Sequence, residues 1–336
     1  MLVETGGEST FSKPIKVVYL SFNFTELTKM LVATGNEPGF LKSIEVVNLD
    51  ASKTNLVCDN LPDFPVGLVG GTGQLFQGTT PIICGGANPN RWSDSCDCYA
   101  LKNGGWNKIS SLQECRRYAS STLVSLENKE EVLMIAGGEN SNTLKSVESF
   151  NGTDWEQMMF SDLLQPVWLQ CLVKINSTTL LLIGGRNSVI MANTYFYELK
   201  ENAWTSGPSL QIARYGLSCG IMNWNNPETN QIEKVIVAAG GHSLTYLDSV
   251  ELLFIERGES NAWVMGPSLP NAALGSTMVE FQNSVILIGG EGGVDGHHLY
   301  QLSLPNGTWV ELKQTLKEER SRHVSFLVPD KLVNCH

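Results

Sequence analysis

Six short apolar runs punctuate the chain at nearly equal intervals. Five end in a glycine pair: PIICGG at Gly85 and Gly86, LMIAGG at Gly137 and Gly138, LLIGG at Gly184 and Gly185, VAAGG at Gly240 and Gly241, and ILIGG at Gly289 and Gly290. A sixth, MLVATGN, carries Thr34 and Gly35 in the same place, with Asn36 replacing the second glycine. The last glycines, at 35, 86, 138, 185, 241 and 290, lie 51, 52, 47, 56 and 49 residues apart, a repeat of about 50. Past each pair comes an alternating segment that reads as a strand, such as KSIEVVNLD, KSVESF or DSVELLFIE. A tryptophan follows 17 to 22 residues past the glycines in five of the units: Trp106, Trp155, Trp204, Trp263 and Trp309. A further apolar segment precedes the next pair, as in RRYASSTLV or RYGLSCGIM, so each unit holds four short strands.

Six units of four antiparallel strands predict an all-β, six-bladed β-propeller, and the period with its glycine pair and tryptophan resembles the kelch family. The resemblance spans nearly the whole chain. It implies that the glycines end the second strand of each blade, where only a bare backbone passes beneath its neighbour, and that the tryptophans begin the outer strand and pack between blades. The chain past blade 6, ERSRHVSFLVP, matches a first strand with nothing complete behind it. His323 to Val328 is therefore expected to complete blade 1 and close the ring, sparing two blades an unpaired edge. The propeller is placed at 21–330, with 331–336 as a C-terminal tail. Residues 1–20 align without gaps to 30–49 with twelve identities. At an offset of 29 this is too short for a blade, and it reads as a partial duplicate of the first-blade hairpin.

Composition narrows the partners. With 34 acidic against 23 basic residues and a net charge of -11, the chain is a poor match for nucleic acid or an anionic membrane, either of which requires a basic face. No apolar run is long enough to span a bilayer, and no membrane insertion is expected.

In such a blade, residues just after the glycine pair share a face with residues just before the first strand. The first group contains Arg91, Trp92, Glu139, Arg186, His242, Glu291, His297 and His298; the second contains Arg116, Arg117, Tyr118, Trp168, Arg214, Tyr215, Arg320 and Arg322. Of these, Arg91, Trp92, Arg116, Arg117, Tyr118, Arg186, Arg214, Tyr215, His242, His297, Arg320 and Arg322 are the candidate binding residues. They suggest a funnel for an acidic peptide or protein, with glycan as the alternative ligand, through bidentate arginine and aromatic contacts. Kelch propellers that bind acidic peptides use this face, which the resemblance carries over. The other role for each arginine is a blade-to-blade ion pair with a glutamate or a backbone carbonyl.

Catalysis finds no support in the residues. The resemblance includes a copper radical oxidase whose site needs two His, two Tyr and a Cys; no equivalent set stands out, and the alternative of a metal-dependent enzyme would rest on His242, His297 or a central Tyr. His297 and His298, being adjacent, point to opposite faces of a strand and do not chelate together. No phosphate loop, nucleophile elbow or zinc spacing occurs. No cofactor and no metal is expected.

Eight cysteines bear on compartment. Cys171 and Cys219 take equivalent first-strand positions and are expected as buried free thiols. Cys58, Cys84, Cys96, Cys98, Cys115 and Cys335 form a candidate oxidised set whose connectivity spacing leaves open, apart from a pair across the hairpin formed by two of Cys84, Cys96 and Cys98. This layout resembles extracellular, disulfide-bearing kelch proteins of invertebrates, which tips the expectation towards export although residues 1–20 show no apolar leader. Four glycosylation sequons match the number that composition yields by chance.

Overall fold

The computed structural model describes residues 27–36, 39–50, 58–59, 61–88, 93–226, 231–255, 262–293, 295–303 and 307–333; the duplicated segment 1–20, Arg91, Trp92 and Cys335 lie outside them. Six blades of antiparallel strands form a β-propeller. Blade 2 comprises Thr72–Phe76, Thr80–Cys84, Cys98–Lys102 and Gly105–Lys108; blade 3, Ser120–Ser125, Glu131–Ala136, Val147–Phe150 and Trp155–Glu156. Blade 4 comprises Cys171–Lys174, Thr179–Ile183, Thr194–Glu198 and Ala203–Ser206; blade 5, Ser218–Asn225, Ile232–Ala239, Val250–Phe254 and Val264–Met265; blade 6, Thr277–Phe281, Ser284–Ile288, Leu299–Ser303 and Thr308–Glu311. Blade 1 joins the two ends of the chain: Val324–Val328 pairs with Lys29–Ala33, which pairs with Ile44–Asn48. The expected closure by a C-terminal strand is thus present, in the register Leu31 opposite Phe326.

No single core holds the disc. Six apolar clusters each lie between two neighbouring blades, and every second strand feeds both of its neighbours. In blade 4, Leu180 and Leu182 pack towards blade 3, whereas Leu181 and Ile183 pack towards blade 5. A strand buried on both faces has no polar side, which is why these segments read as continuous apolar runs rather than alternating ones. Each tryptophan closes one such interface. Its indole N–H donates to a carbonyl of the segment arriving from the previous blade, as in Trp155 to Ser110 at 3.0 Å and Trp204 to Ser161 at 3.1 Å.

The glycine pairs sit where two blades come closest. Gly184 and Gly185 have φ of +58° and +98°. The Arg214 carbonyl of the next blade accepts the Gly185 N–H at 2.8 Å, and a Cβ on Gly184 would lie 2.7 Å from that same oxygen. In blade 1 it is Thr34, at φ +61°, that stands for the first glycine, and Gly35 is the second, donating to Leu68. Asn36 lies one position beyond the pair and does not replace a glycine.

Three disulfides are described. Cys84–Cys98 crosses directly opposed residues of blade 2, and Cys96–Cys115 ties its loop to the segment entering blade 3. Cys171–Cys219 joins the first strands of blades 4 and 5, correcting the expectation of free thiols there. First strands converge on the propeller axis, which brings these two Cα atoms to 6.0 Å, within bridging range. Cys58 is also bonded, and none of the described cysteines is free.

Replacement of Gly185 by Val would press a branched side chain into Val167 Cγ2, 2.5 Å from the Cβ position, and Gln170 Cβ at 2.8 Å, at a backbone angle that L-residues resist. We expect Gly185→Val to destabilise the protein by about 2–4 kcal/mol in urea unfolding; wild-type stability would contradict this account of the pair.

Candidate functional site

The loops that follow the glycine pairs and the segments that enter the next blades alternate around one face and pair by single bridges: Val69 with Ala87, Arg117 with Glu139, Trp168 with Arg186, Tyr215 with His242, Leu274 with Glu291, and Ser321 with Asn36. One residue further along each entering segment, a closed ring of backbone hydrogen bonds surrounds the axis. Tyr118 donates to Gly70, Leu169 to Tyr118, Gly216 to Leu169, Gly275 to Gly216, Arg322 to Gly275 and Gly70 to Arg322, all at 2.6–3.0 Å. All six residues have positive φ, three of them without being glycine. The ring frames the mouth of an axial cavity of about 210 Å³ walled by hydroxyl side chains, among them Thr72, Ser120, Ser121, Ser218, Ser276, Thr277 and Ser325.

Three of the candidate arginines are not on this face. Arg116, Arg214 and Arg320 are fully buried, each held inside its own blade by the same set of partners. Arg116 donates to the carbonyls of Gly137 and Ser146, to Ser146 Oγ and to Glu148. Arg214 repeats this with Gly240, Ser249 and Glu251. Arg320 repeats it with Thr34, Ser43 and Glu45. Each glutamate also accepts two backbone N–H groups just ahead of its arginine, Glu148 from Gln113 and Glu114 for example. Burial pulls the Arg214 guanidinium below its ordinary pKa and Glu251 opposes that pull. These residues cannot reach a partner, so the ion-pair role replaces the binding role for all three. The signal was a Ser-x-Glu triplet at 43–45, 146–148 and 249–251.

Two further arginines are on the face but already neutralised. Arg117 pairs with Glu139 at 2.8 Å and Asp94 at 3.2 Å; Arg322 pairs with Glu291. Burial raises the Asp94 carboxyl above its usual range against the pull of Arg117, and raises the Tyr118 phenol against Arg322 and Arg117. His297 lies apart, at the seam between blades 6 and 1.

The remaining candidates converge. Tyr118, Trp168, Tyr215 and His242 form an arc across blades 3 to 5, with successive ring centroids 5.7, 6.3 and 5.3 Å apart, and Tyr246 continues it at 5.1 Å from His242. The Arg186 guanidinium lies over both Trp168, at 5.9 Å, and Tyr215, at 5.4 Å. Among the described residues it has no carboxylate partner. At the loop tips beside the arc, Leu244 is 93% exposed, Val189 63% and Tyr246 46%. Tyr246, Val189 and Leu244 were not candidates from the sequence, since nothing marks which loop residue projects. The loop geometry decides it: the tight turns Asn187 N–H to Val189 and Ser243 N–H to Thr245 thrust these residues outwards.

Comparison with known proteins supports the fold alone. No family model and no curated protein sequence matches the chain. Among solved structures, the one described as "Structure of YjhT" superposes with a TM-score of 0.67 at 14% identity, covering 85% of this chain and 94% of that one.

Two stability predictions follow from these contacts. Glu148→Ala strands the Arg116 charge in the interior and should cost about 3–5 kcal/mol, whereas the double change Arg116→Met with Glu148→Leu should regain most of that loss; a single variant as stable as wild type in urea would refute the buried pair. The second concerns His323, which is buried beside the axial cavity, with Nε2 2.7 Å from Thr277 Oγ1, and whose pKa is pushed from 6.5 down to about 3 by burial, with Arg320 adding to the effect. The unfolded chain therefore takes up a proton that the fold refuses, so stability present above pH 6.5 is lost as pH falls towards 3, by about 1.4 kcal/mol per unit. His323→Gln should flatten the decline between pH 6.5 and 5; equal decline in both proteins would show that the imidazole ionises in the fold.

Proposed function

We propose that this protein is a non-catalytic, kelch-like interaction module that takes an acidic peptide or protein segment on the blade 3–5 half of its loop face. The observation that carries this reading is Arg186. Its guanidinium lies over both Trp168 and Tyr215 with, among the described residues, no acid to neutralise it, on a face where the other described arginines are spent on glutamates or aspartate. Stacking on aromatic faces fixes the plane of a guanidinium and leaves its edge N–H groups for bidentate bonds to a carboxylate. Exposed Leu244, Val189 and Tyr246 beside it offer an apolar rim for the residues flanking that carboxylate. A rigid disc held by disulfides between strands and between blades supports a pre-formed site and a home in an oxidising compartment.

The test is a screen of synthetic peptides rich in Asp, Glu and apolar residues, followed by calorimetry on the tightest. Arg186→Ala and Trp168→Ala should each weaken binding by about 30-fold or more, while Arg117→Ala changes it little. Binders indifferent to both Arg186 and Trp168 would overturn the site, and a glycan array that captures the protein through Arg186 in place of any peptide would change the partner class.

A further inference from the structure

The geometry points to a divalent transition-metal site, of the kind zinc fills, formed by Asp295, His297 and Glu319 at the seam where blade 6 meets the closing strand of blade 1. One donor atom from each residue lies within 4.8 Å of the others. His297 Nε2 is 3.8 Å from Asp295 Oδ1 and 3.7 Å from Glu319 Oε1, too far for a direct hydrogen bond. Two ligands bonded at about 2.05 Å to a tetrahedral ion are about 3.3 Å apart, so each His297 edge needs to shorten by only about half an ångström, within reach of partly exposed side chains.

The imidazole is set up for this role. Its Nδ1 lies 3.1 Å from the Leu316 carbonyl, an acceptor only, so in the neutral imidazole Nδ1 carries the proton and Nε2 presents its lone pair towards the two carboxylates. The three atoms that face one another are then all acceptors. Among the described residues no lysine or arginine pairs with Asp295 or Glu319, and a cation is what such a cluster lacks.

The surrounding backbone holds the ligands in place from both sides of the seam. The His297 N–H donates to Asp295 Oδ1 at 3.0 Å, and the Leu316 N–H donates to the His297 carbonyl at 2.9 Å. Between the two ligands of the loop, Gly296 lets it lie against the incoming segment, since a Cβ there would come 2.9 Å from the Arg320 nitrogen and 3.2 Å from Glu319 Cβ. His298 approaches the other oxygen of Asp295, Oδ2, at 3.8 Å and is held by Glu311 at 2.7 Å from its Nδ1, so the three donors that converge are a single histidine with two carboxylates and not a histidine pair. An ion bound there would tie blade 6 to the segment that leads into Val324–Val328. It would reinforce the one place where the ring is held shut by pairing between the two ends of the chain.

Titration of metal-free protein with ZnCl2 by calorimetry, together with thermal melts at rising Zn²⁺, tests the assignment. We expect one ion per chain and a Tm that climbs and saturates with zinc. His297→Gln and Glu319→Gln should each weaken binding by more than about tenfold and abolish the rise in Tm. Both changes are at the surface and should leave the zinc-free melt unchanged. Absence of saturable 1:1 binding in wild type, or binding that survives both substitutions, would overturn the site.

Discussion

A carbonyl shared between blades governs this fold. Each second strand ends against the backbone of the next blade so closely that one oxygen, such as that of Arg214, accepts a hydrogen bond from Gly185 and would strike any side chain on Gly184. The contact sets the distance between blades near the axis, and that distance in turn brings the entering segments within reach of one another. The six-membered ring of backbone bonds from Gly70 to Arg322 is the result. Residues in it accept a positive φ, including Tyr118, Leu169 and Arg322, because the ring and the bridges on either side leave the backbone no other path.

The blades are not equivalent copies, and the difference has a period of two. Arginine precedes the first strand in blades 1, 3 and 5, while Leu68, Val167 and Ala273 take that place in blades 2, 4 and 6, judged by which carbonyl receives the glycine N–H. In matching register, the third strand carries Glu45, Glu148 and Glu251 in the odd blades and Tyr99, Tyr195 and Tyr300 in the even ones. The glutamates recur at intervals of 103 residues, which makes the ring three double-blade units. Burying a charge is tolerable only when all its bonds are made. Here the guanidinium and the carboxylate meet that condition with the same backbone groups each time, so the pair locks the linking segment to the third strand in every odd blade.

That device also explains what could and could not be read from residues alone. The repeat, the strand count, the glycine and tryptophan roles and the closure by the C-terminal strand were legible because each follows from spacing and from the backbone. The fate of the arginines was not. Arg116 and Arg117 are neighbours in sequence, yet one is sealed inside blade 3 and the other reaches the face, since adjacent residues in extended chain point opposite ways. A partner 32 residues distant, Glu148, decides which. The Cys171–Cys219 bond was hidden for a similar reason: the convergence of first strands on the axis is a property of the closed ring and of no single blade.

A binding site on so regular a scaffold must come from a break in the regularity. Of the six bridged pairs around the loop face, four combine apolar or neutral residues or set an aromatic ring beside a histidine or a glutamate beside an aliphatic side chain, and one, Arg117 with Glu139, cancels its own charge. Only Trp168 with Arg186 places a cation against an aromatic ring. The neighbouring pair then supplies a second ring, Tyr215, beneath the same guanidinium. Two adjacent departures from the common pattern thus produce one oriented charge, where a sixfold arrangement of equivalent loops would have produced none. In the proposed binding role the acidic balance of the whole chain sharpens the effect, because one uncancelled cation among the neutralised arginines of the described face would discriminate by position rather than by net attraction.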